Sequence, residues 1–381
     1  MSDVLQLAQK LVQYRSLGPE KLPIFTFLQK YLGKLGFNVR LFEFNDKNNN
    51  IIPGLFATVG EGERHFLFSG HLDVVSPGIE NDWKYSPFNG SIKNGSLYAR
   101  GICDMKGAVA CFISACESLL SDKDKGLANR VSLLLSGDDE APCVHTTRLM
   151  LEQLAGEGEK FDFCLFGSPT NPKRVGDEIK IGARGDILFE ITSFGPSGHP
   201  AYHPGLSNPL HNLLDLLAKI KMTALDTGNE NFGPTTIQVI SVDTNNQENN
   251  VIPSSATAKV DVRFNTSHQT NDIISWVQKN VIFSSGQFEL KYEVLNEAYY
   301  NHPDAEISLL ADVIEHSTGY APVCSTNGSS SSARYISNYC PVVEFGLTNT
   351  LVHRVNEAAK VEDIYLLEII YRDFLKSYFQ T

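Results

Sequence analysis

At 381 residues, with 42% hydrophobic and 20% charged side chains, the chain has the composition of a soluble globular protein. It exceeds what one hydrophobic core usually organises, so two structural units are expected. Its 32 basic against 44 acidic residues leave a net charge of −12, which argues against nucleic acid or an anionic membrane as the main partner.

No apolar run reaches the roughly 18 to 20 residues of a membrane span, and the opening MSDVLQLAQKLVQYRS is charged where a signal peptide is apolar. A cytoplasmic protein is expected. The seven cysteines (103, 111, 116, 143, 164, 324 and 340) form no CxxC pair and several sit in apolar runs, so they read as reduced core thiols.

In chain order, apolar residues at helical spacing predict helices near 3–16 and 20–35. The run HFLFSG (65–70) reads as a strand, followed by a helix at 105–121, the strand VSLLLSG (131–137), a helix at 145–155 and the strand FDFCLFG (161–167). The grammar then changes. Strands at 186–194, 235–243, 256–265 and 288–294 with helices at 208–222 and 270–282 give the order β-α-β-β-α-β, a ferredoxin-like α+β domain over 184–295. A helix at 305–317, the strand PVVEFG (341–346) and a helix at 361–379 complete the chain. The expected architecture is α/β: a mainly parallel or mixed sheet flanked by helices, built from 1–183 and 296–381 and interrupted by the inserted domain.

Three of these strands end alike. FLFSGHLD places His71 and Asp73 after a glycine, LLLSGDDE places Asp139 and Glu140 there, and CLFGSPT places Ser168 there. Ligand sites in parallel sheets gather at the carboxyl ends of strands, so these side chains can meet. ARGICDMKGAVA sets Asp104 just before a helix, and EFGLTNTLVHR sets His353 in a loop after a strand. His71, Asp104, Glu140 and His353 offer the nitrogen and carboxylate donors that zinc takes. Asp73, two residues from His71, is suited to hold the other imidazole nitrogen. Taken alone, SGDDE is equally a solvated acidic turn, and Asp104 is more readily a helix N-cap serving the amides of Lys106 and Gly107. Neither reading accounts for the set as a whole.

The segments SGHLDVVSPG, SPFNGSIKNGSLYARGICDMKGAVA, SGDDEAP, GPSGHPAYHPGLSNP, NNVIP and VHRVNE occur in order over nearly the whole chain. Together they resemble the family of di-zinc amidohydrolases and exopeptidases that includes the succinyl-diaminopimelate desuccinylases and the acetylornithine deacetylases, and the desuccinylases more closely. The resemblance implies a catalytic α/β domain interrupted by a dimer-forming domain, in a homodimer. It implies metal-dependent hydrolysis of an N-acyl amino acid, a small molecule, with N-succinyl-LL-2,6-diaminopimelate giving succinate and diaminopimelate in lysine biosynthesis. It makes Asp104 the bridge between two zinc ions, with His71 on the first and Glu140 and His353 on the second; cobalt is a substitute metal. Asp73 and Asp139 fall at catalytic positions. Arg184, His199, Asn250, Arg263 and Asn349 match positions that grip substrate carboxylates or steady the oxyanion, His199 from across the dimer. The residues themselves leave other readings open: a strand-surface ion pair for Arg263, and a turn histidine for His199.

Three departures from the family pattern matter. Asp139 stands where the family has its general-base Glu, and a base shorter by about 1 Å costs on the order of a hundredfold in rate if nothing else moves. GSPT puts Ser168 where the first zinc's Glu ligand belongs. That site is expected to be weak or empty unless Asp138, Cys143 or His145 supplies a donor. Ser332, in NGSSSSAR, replaces an Asp. The expectation is one tight zinc on Asp104, Glu140 and His353 and a second, weak or absent, on His71 and Asp104. Two alternatives remain: a catalytically impaired or silent relative binding an acylated amino acid or peptide, and a one-zinc deacylase or peptidase with three protein ligands and an open position.

Overall fold

The computed structural model describes residues 3–46, 48–121, 129–140, 146–328 and 331–380. Cys143 and His145 lie outside the described residues. The chain forms two compact units, one of Met1–Ile181, Asn301–Ser325 and Ser331–Thr381, the other of Gly182–Tyr300 and Thr326–Ser330.

The first unit opens with helices α1 (Val4–Val12) and α2 (Leu22–Lys34), each with one buried apolar face. Strands β1 (Asn38–Asn45), β2 (Ile51–Val59) and β3 (His65–His71) follow, then helix α3 (Gly107–Ser121), strand β4 (Arg130–Ser136), helix α4 (Thr146–Gly156) and strands β5 (Phe163–Phe166) and β6 (Glu178–Lys180). After the second unit the chain adds helix α7 (Ala305–Thr318), strand β11 (Val323–Ser325), helix α8 (Ala333–Ile336), strand β12 (Val342–Glu344) and helix α9 (Val361–Tyr378).

Eight strands make one sheet in the order β1-β2-β4-β3-β5-β12-β6-β11. Its centre, β4-β3-β5-β12, is parallel throughout. Being buried on both faces, these strands are continuous apolar runs rather than alternating ones. Helix α3 is buried over all of Gly107–Cys116, as expected of a helix apolar all round, and it packs against α1 and α9. Phe66, Phe68, Phe112, Phe163, Tyr371, Phe374 and Tyr378 form the aromatic centre of this core, with Phe68 stacked on Phe112 at 4.2 Å between centroids.

The antiparallel strands β1 and β2 were not anticipated from the sequence. Pro53 and Gly54 inside β2 are turn-forming residue types, yet here Gly54 lies in the strand where α4 comes close: a Cβ would run into Met150 Sδ and meet Thr146 Cγ2 at 3.0 Å. Among the described residues the cysteines are free. Cys103, Cys111, Cys116, Cys164 and Cys340 are buried as core thiols, whereas Cys324 on the edge strand β11 is exposed.

The second unit runs β7 (Gly185–Phe194), α5 (Pro209–Met222), β8 (Thr236–Asp243), β9 (Ser255–Phe264), α6 (Thr270–Ile282) and β10 (Gln287–Asn296). Its antiparallel sheet has the order β8-β9-β7-β10. Ile187, Phe189 and Ile191 of β7 and Val260 and Val262 of β9 pack with Leu213 and Leu217 of α5 and Ile273 and Val277 of α6. This is the ferredoxin-like order read from the sequence. Among the described residues, no helix is long and apolar enough to cross a membrane.

Candidate metal centre

The parallel strands β4, β3, β5 and β12 deliver their following loops to one edge of the sheet, and four of the predicted site segments are these loops. His71 ends β3; Asp138 to Glu140 follow β4; Ser168 follows β5; Asn349 and His353 follow β12. Asp104 enters from the turn Ile102–Lys106 ahead of α3. There Asp104 and Met105 leave helical dihedrals, so Asp104 is not the N-cap that its position suggested.

The donors converge. One ligand atom each from His71, Asp104 and Glu140 lie within 4.8 Å of one another. His71 Nε2 is 3.2 Å from Asp104 Oδ1, while His353 Nε2 is 3.4 Å from Asp104 Oδ2 and 2.8 Å from Glu140 Oε1. The two oxygens of Asp104 thus face two different imidazoles. His353 holds a left-handed φ of 62° and is 47% exposed, whereas His71 is buried.

The electrostatics follow from this geometry. Donating to the carboxylates of Asp104 and Glu140 raises the His353 pKa to about 10. Burial opposes charge on His71, but Asp104 with Asp73 and Asp139 more than offsets it and holds that imidazole well above its ordinary value. Burial would raise the Asp104 carboxyl too, yet bonds to His353 and His71 hold it well below the usual carboxylate range. The cluster therefore demands positive charge at its centre, and its donors are the imidazole and carboxylate types that bind zinc. The residues fit a divalent metal.

Asp73 is 1% exposed, and its pKa is pushed up to about 6, chiefly by burial. Its backbone carbonyl, not its carboxylate, takes the His71 Nδ1 bond at 3.1 Å; the carboxylate lies 3.6 Å away. That carboxylate instead accepts the amides of Asp139 (3.2 Å) and Glu140 (3.0 Å), tying the β4 loop to the β3 loop. Asp138 accepts the Thr146 amide on both oxygens at 3.1 Å, bracing the start of α4. Ser168 makes no side-chain hydrogen bond among the described residues. The loop after β5 is pressed against that after β12, since a Cβ on Gly346 would lie 2.5 Å from the carbonyl oxygens of Gly167 and Ser168.

The other predicted residues divide between the units. Asn349 is exposed in the first unit, with Nδ2 donating to the Thr170 carbonyl at 3.3 Å. Arg184, His199, Asn250 and Arg263 belong to the second. Asn250 is exposed. His199 Nδ1 accepts the Ala201 amide at 3.2 Å, as a turn histidine does. Arg263 is engaged on both sides: its fork meets Asp261 at 3.0 Å and its Nη1 meets Asp186 at 2.8 Å. A substrate carboxylate would have to compete with both.

Sequence reasoning missed the supports. Glu357 is fully buried and accepts Arg100 Nη1 (2.7 Å) and the amides of Gly101 (3.0 Å) and Cys103 (2.9 Å), which fixes the turn that carries Asp104. Arg100 Nη2 reaches the His353 carbonyl at 3.4 Å. Buried Lys106 donates to the Tyr14 carbonyl at 2.7 Å. The only signal was their place inside the motif segments ARGICDMKG and VHRVNE.

Residues 67–377 match the model of peptidase family M20/M25/M40. The chain belongs to this family. Among its relatives, the succinyl-diaminopimelate desuccinylase of Pelagibacter ubique is 37% identical, covering 98% of both chains, and that of Maricaulis maris is 38% identical, covering 100% of this chain and 97% of its own. Solved structures of the family share the fold. A metallo-carboxypeptidase from Sulfolobus solfataricus superposes with a TM-score of 0.79 at 18% identity over 99% of each chain. A dinuclear metal-binding peptidase from Bacillus subtilis gives 0.70 at 12% identity, over 99% of this chain and 98% of its own.

Proposed function

We propose that this family member is a zinc-dependent amidohydrolase that cleaves N-succinyl-LL-2,6-diaminopimelate to succinate and diaminopimelate, a step of lysine biosynthesis. End-to-end similarity to relatives named for that activity supports the substrate. The observation that carries the chemistry is the pair of Asp104 oxygens facing separate imidazoles beside Glu140.

Asp104, Glu140 and His353 would hold one zinc firmly. His71 and Asp104 would hold a second weakly, because Ser168 offers neither the charge nor the bidentate reach of a carboxylate. Bound there, a divalent metal polarises the amide carbonyl and makes water a better acid. Asp139 is the general base: it takes the water's proton and returns it to the departing amine. Asp73 keeps the β3 and β4 loops in register around it. Arg184, His199, Asn250 and Asn349 offer polar groups to the substrate's carboxylates, and Arg263 joins them where the substrate displaces its acidic partners. The protein acts in the cytoplasm as a homodimer, His199 serving the neighbouring protomer's substrate.

The test is metal analysis of purified protein alongside hydrolysis of N-succinyl-diaminopimelate with chelator and with added zinc. Turnover that a chelator abolishes and zinc restores, with close to one tightly held metal, is expected. Ser168→Glu should raise the tightly held metal content toward two. Binding of substrate without any turnover would refute the enzyme reading in favour of a silent relative; two tight metals in the unaltered protein would refute the role given to Ser168.

A further inference from the structure

We infer that Ser332 is a positioning residue for Asp139, fixing one carboxylate oxygen so that the other is left for proton transfer. The inference rests on the reading of Asp139 as the general base.

Ser332 Oγ donates to Asp139 Oδ1 at 2.6 Å, across 193 residues of sequence. That length is typical of a hydroxyl donating to an ionised carboxylate. Ser136 Oγ approaches the same oxygen at 3.2 Å, but its single hydrogen is also within reach of the Gly70 carbonyl at 3.5 Å, so Ser332 makes the firmer bond. Asp139 Oδ2 takes no hydrogen bond among the described residues.

A second observation sets Ser332 apart from an ordinary loop serine. It occupies the N-cap position of α8, where a serine oxygen usually accepts an amide of the first turn, yet it makes no capping bond. Ser331 Oγ accepts the Ala333 amide instead, at 3.2 Å. Ser332 is 6% exposed, so its hydroxyl needs a partner, and the partner it has is the carboxylate.

The physical consequence is orientational. An aspartate held only at its backbone rotates about its terminal torsion and interchanges its two oxygens. Donors concentrated on Oδ1 stop that exchange and commit Oδ2 to one direction. A short base cannot swing to correct its aim, so a clamp from a separate element restores the placement that side-chain length would otherwise provide.

The experiment is steady-state hydrolysis of N-succinyl-diaminopimelate by the full-length, zinc-loaded protein. Ser332→Ala should lower kcat by about tenfold to a hundredfold with KM nearly unchanged and the metal content intact. Ser332→Thr, which keeps the hydroxyl, should recover most of the loss; it also serves if the alanine variant does not fold. In an Asp139→Glu background, where the carboxylate is carried past Ser332, the same alanine substitution should cost little. A crystal structure of the metal-free Ser332→Ala protein should show the Asp139 carboxylate rotated. An unchanged kcat, a loss confined to KM, or an equal loss in both backgrounds would assign Ser332 a merely structural tether and overturn the inference alone. Unaltered protein that binds metal but turns over nothing would overturn the base assignment and this inference with it.

Discussion

Replacing Glu357 with glutamine removes the charge that answers Arg100 in the interior. The two side chains are 0% and 2% exposed and meet at 2.7 Å. Among the described residues Arg100 Nε already lacks a hydrogen-bond partner, Nη2 has only long contacts of 3.4 Å to the Ser76 and His353 carbonyls, and the Trp83 ring 5.2 Å away carries no full charge, so no second anion takes over the lost pair. Removing one member of a buried ion pair costs about 3–5 kcal/mol, a large part of the roughly 5–15 kcal/mol that holds a typical protein folded. At about 2 °C per kcal/mol the melting temperature should fall by about 6–10 °C. Because Glu357 also holds the Gly101 and Cys103 amides in the turn that leads into Asp104, zinc affinity should drop by about tenfold to a hundredfold. Scanning calorimetry and isothermal zinc titration measure the two effects. The double change Arg100→Met with Glu357→Met should regain much of the stability, since it leaves no charge uncompensated, but not the zinc affinity. A Glu357→Gln protein that melts within about 1 °C of the parent and binds zinc equally well would refute the reasoning.

Asp104→Asn should abolish metal binding and hydrolysis together while the fold persists, because it removes the anion that both imidazoles face; metal content and circular dichroism check this. In metal-free protein the His353 pKa is raised from 6.5 to about 10, so the charged imidazole's stabilisation is fully present below pH 6.5 and lost as pH climbs through 10. The melting temperature with chelator should therefore decline across that window, and zinc affinity should rise with pH over the same range as protons cease to compete. Gly346→Ala should cost about 1–3 kcal/mol in urea unfolding and impair hydrolysis, since the added carbon meets two backbone carbonyls that cannot turn aside.

The strands that carry the site were legible because each buried parallel strand is an apolar run closed by a small residue, and the chemistry follows the closure. The longer helices were legible from their periodicity, α3 least cleanly, since it is buried on every side over most of its length and has no polar face to mark; the four-residue α8 is too short to show a period and was not anticipated. Strand β2 was not, because Pro53 and Gly54 carry the chemistry of a turn while the close packing of α4 gives the glycine a different purpose. Arg263 illustrates the same gap. Its residue type suits a substrate carboxylate, but Asp186 and Asp261, the first from a neighbouring strand, occupy its fork.

The order of motifs along this chain, and the donor types they hold, determined that imidazoles and carboxylates would stand at the ends of parallel strands in an M20 family member. Which oxygen of Asp104 faces which histidine, that Asp73 grips amides rather than an imidazole, and that Ser332 abandons its helix to hold Asp139 were decided by the tertiary structure. Hydrogen bonds and metal ligation depend on separations set to tenths of an ångström between residues distant in sequence, and only the packed sheet and its loops establish those separations.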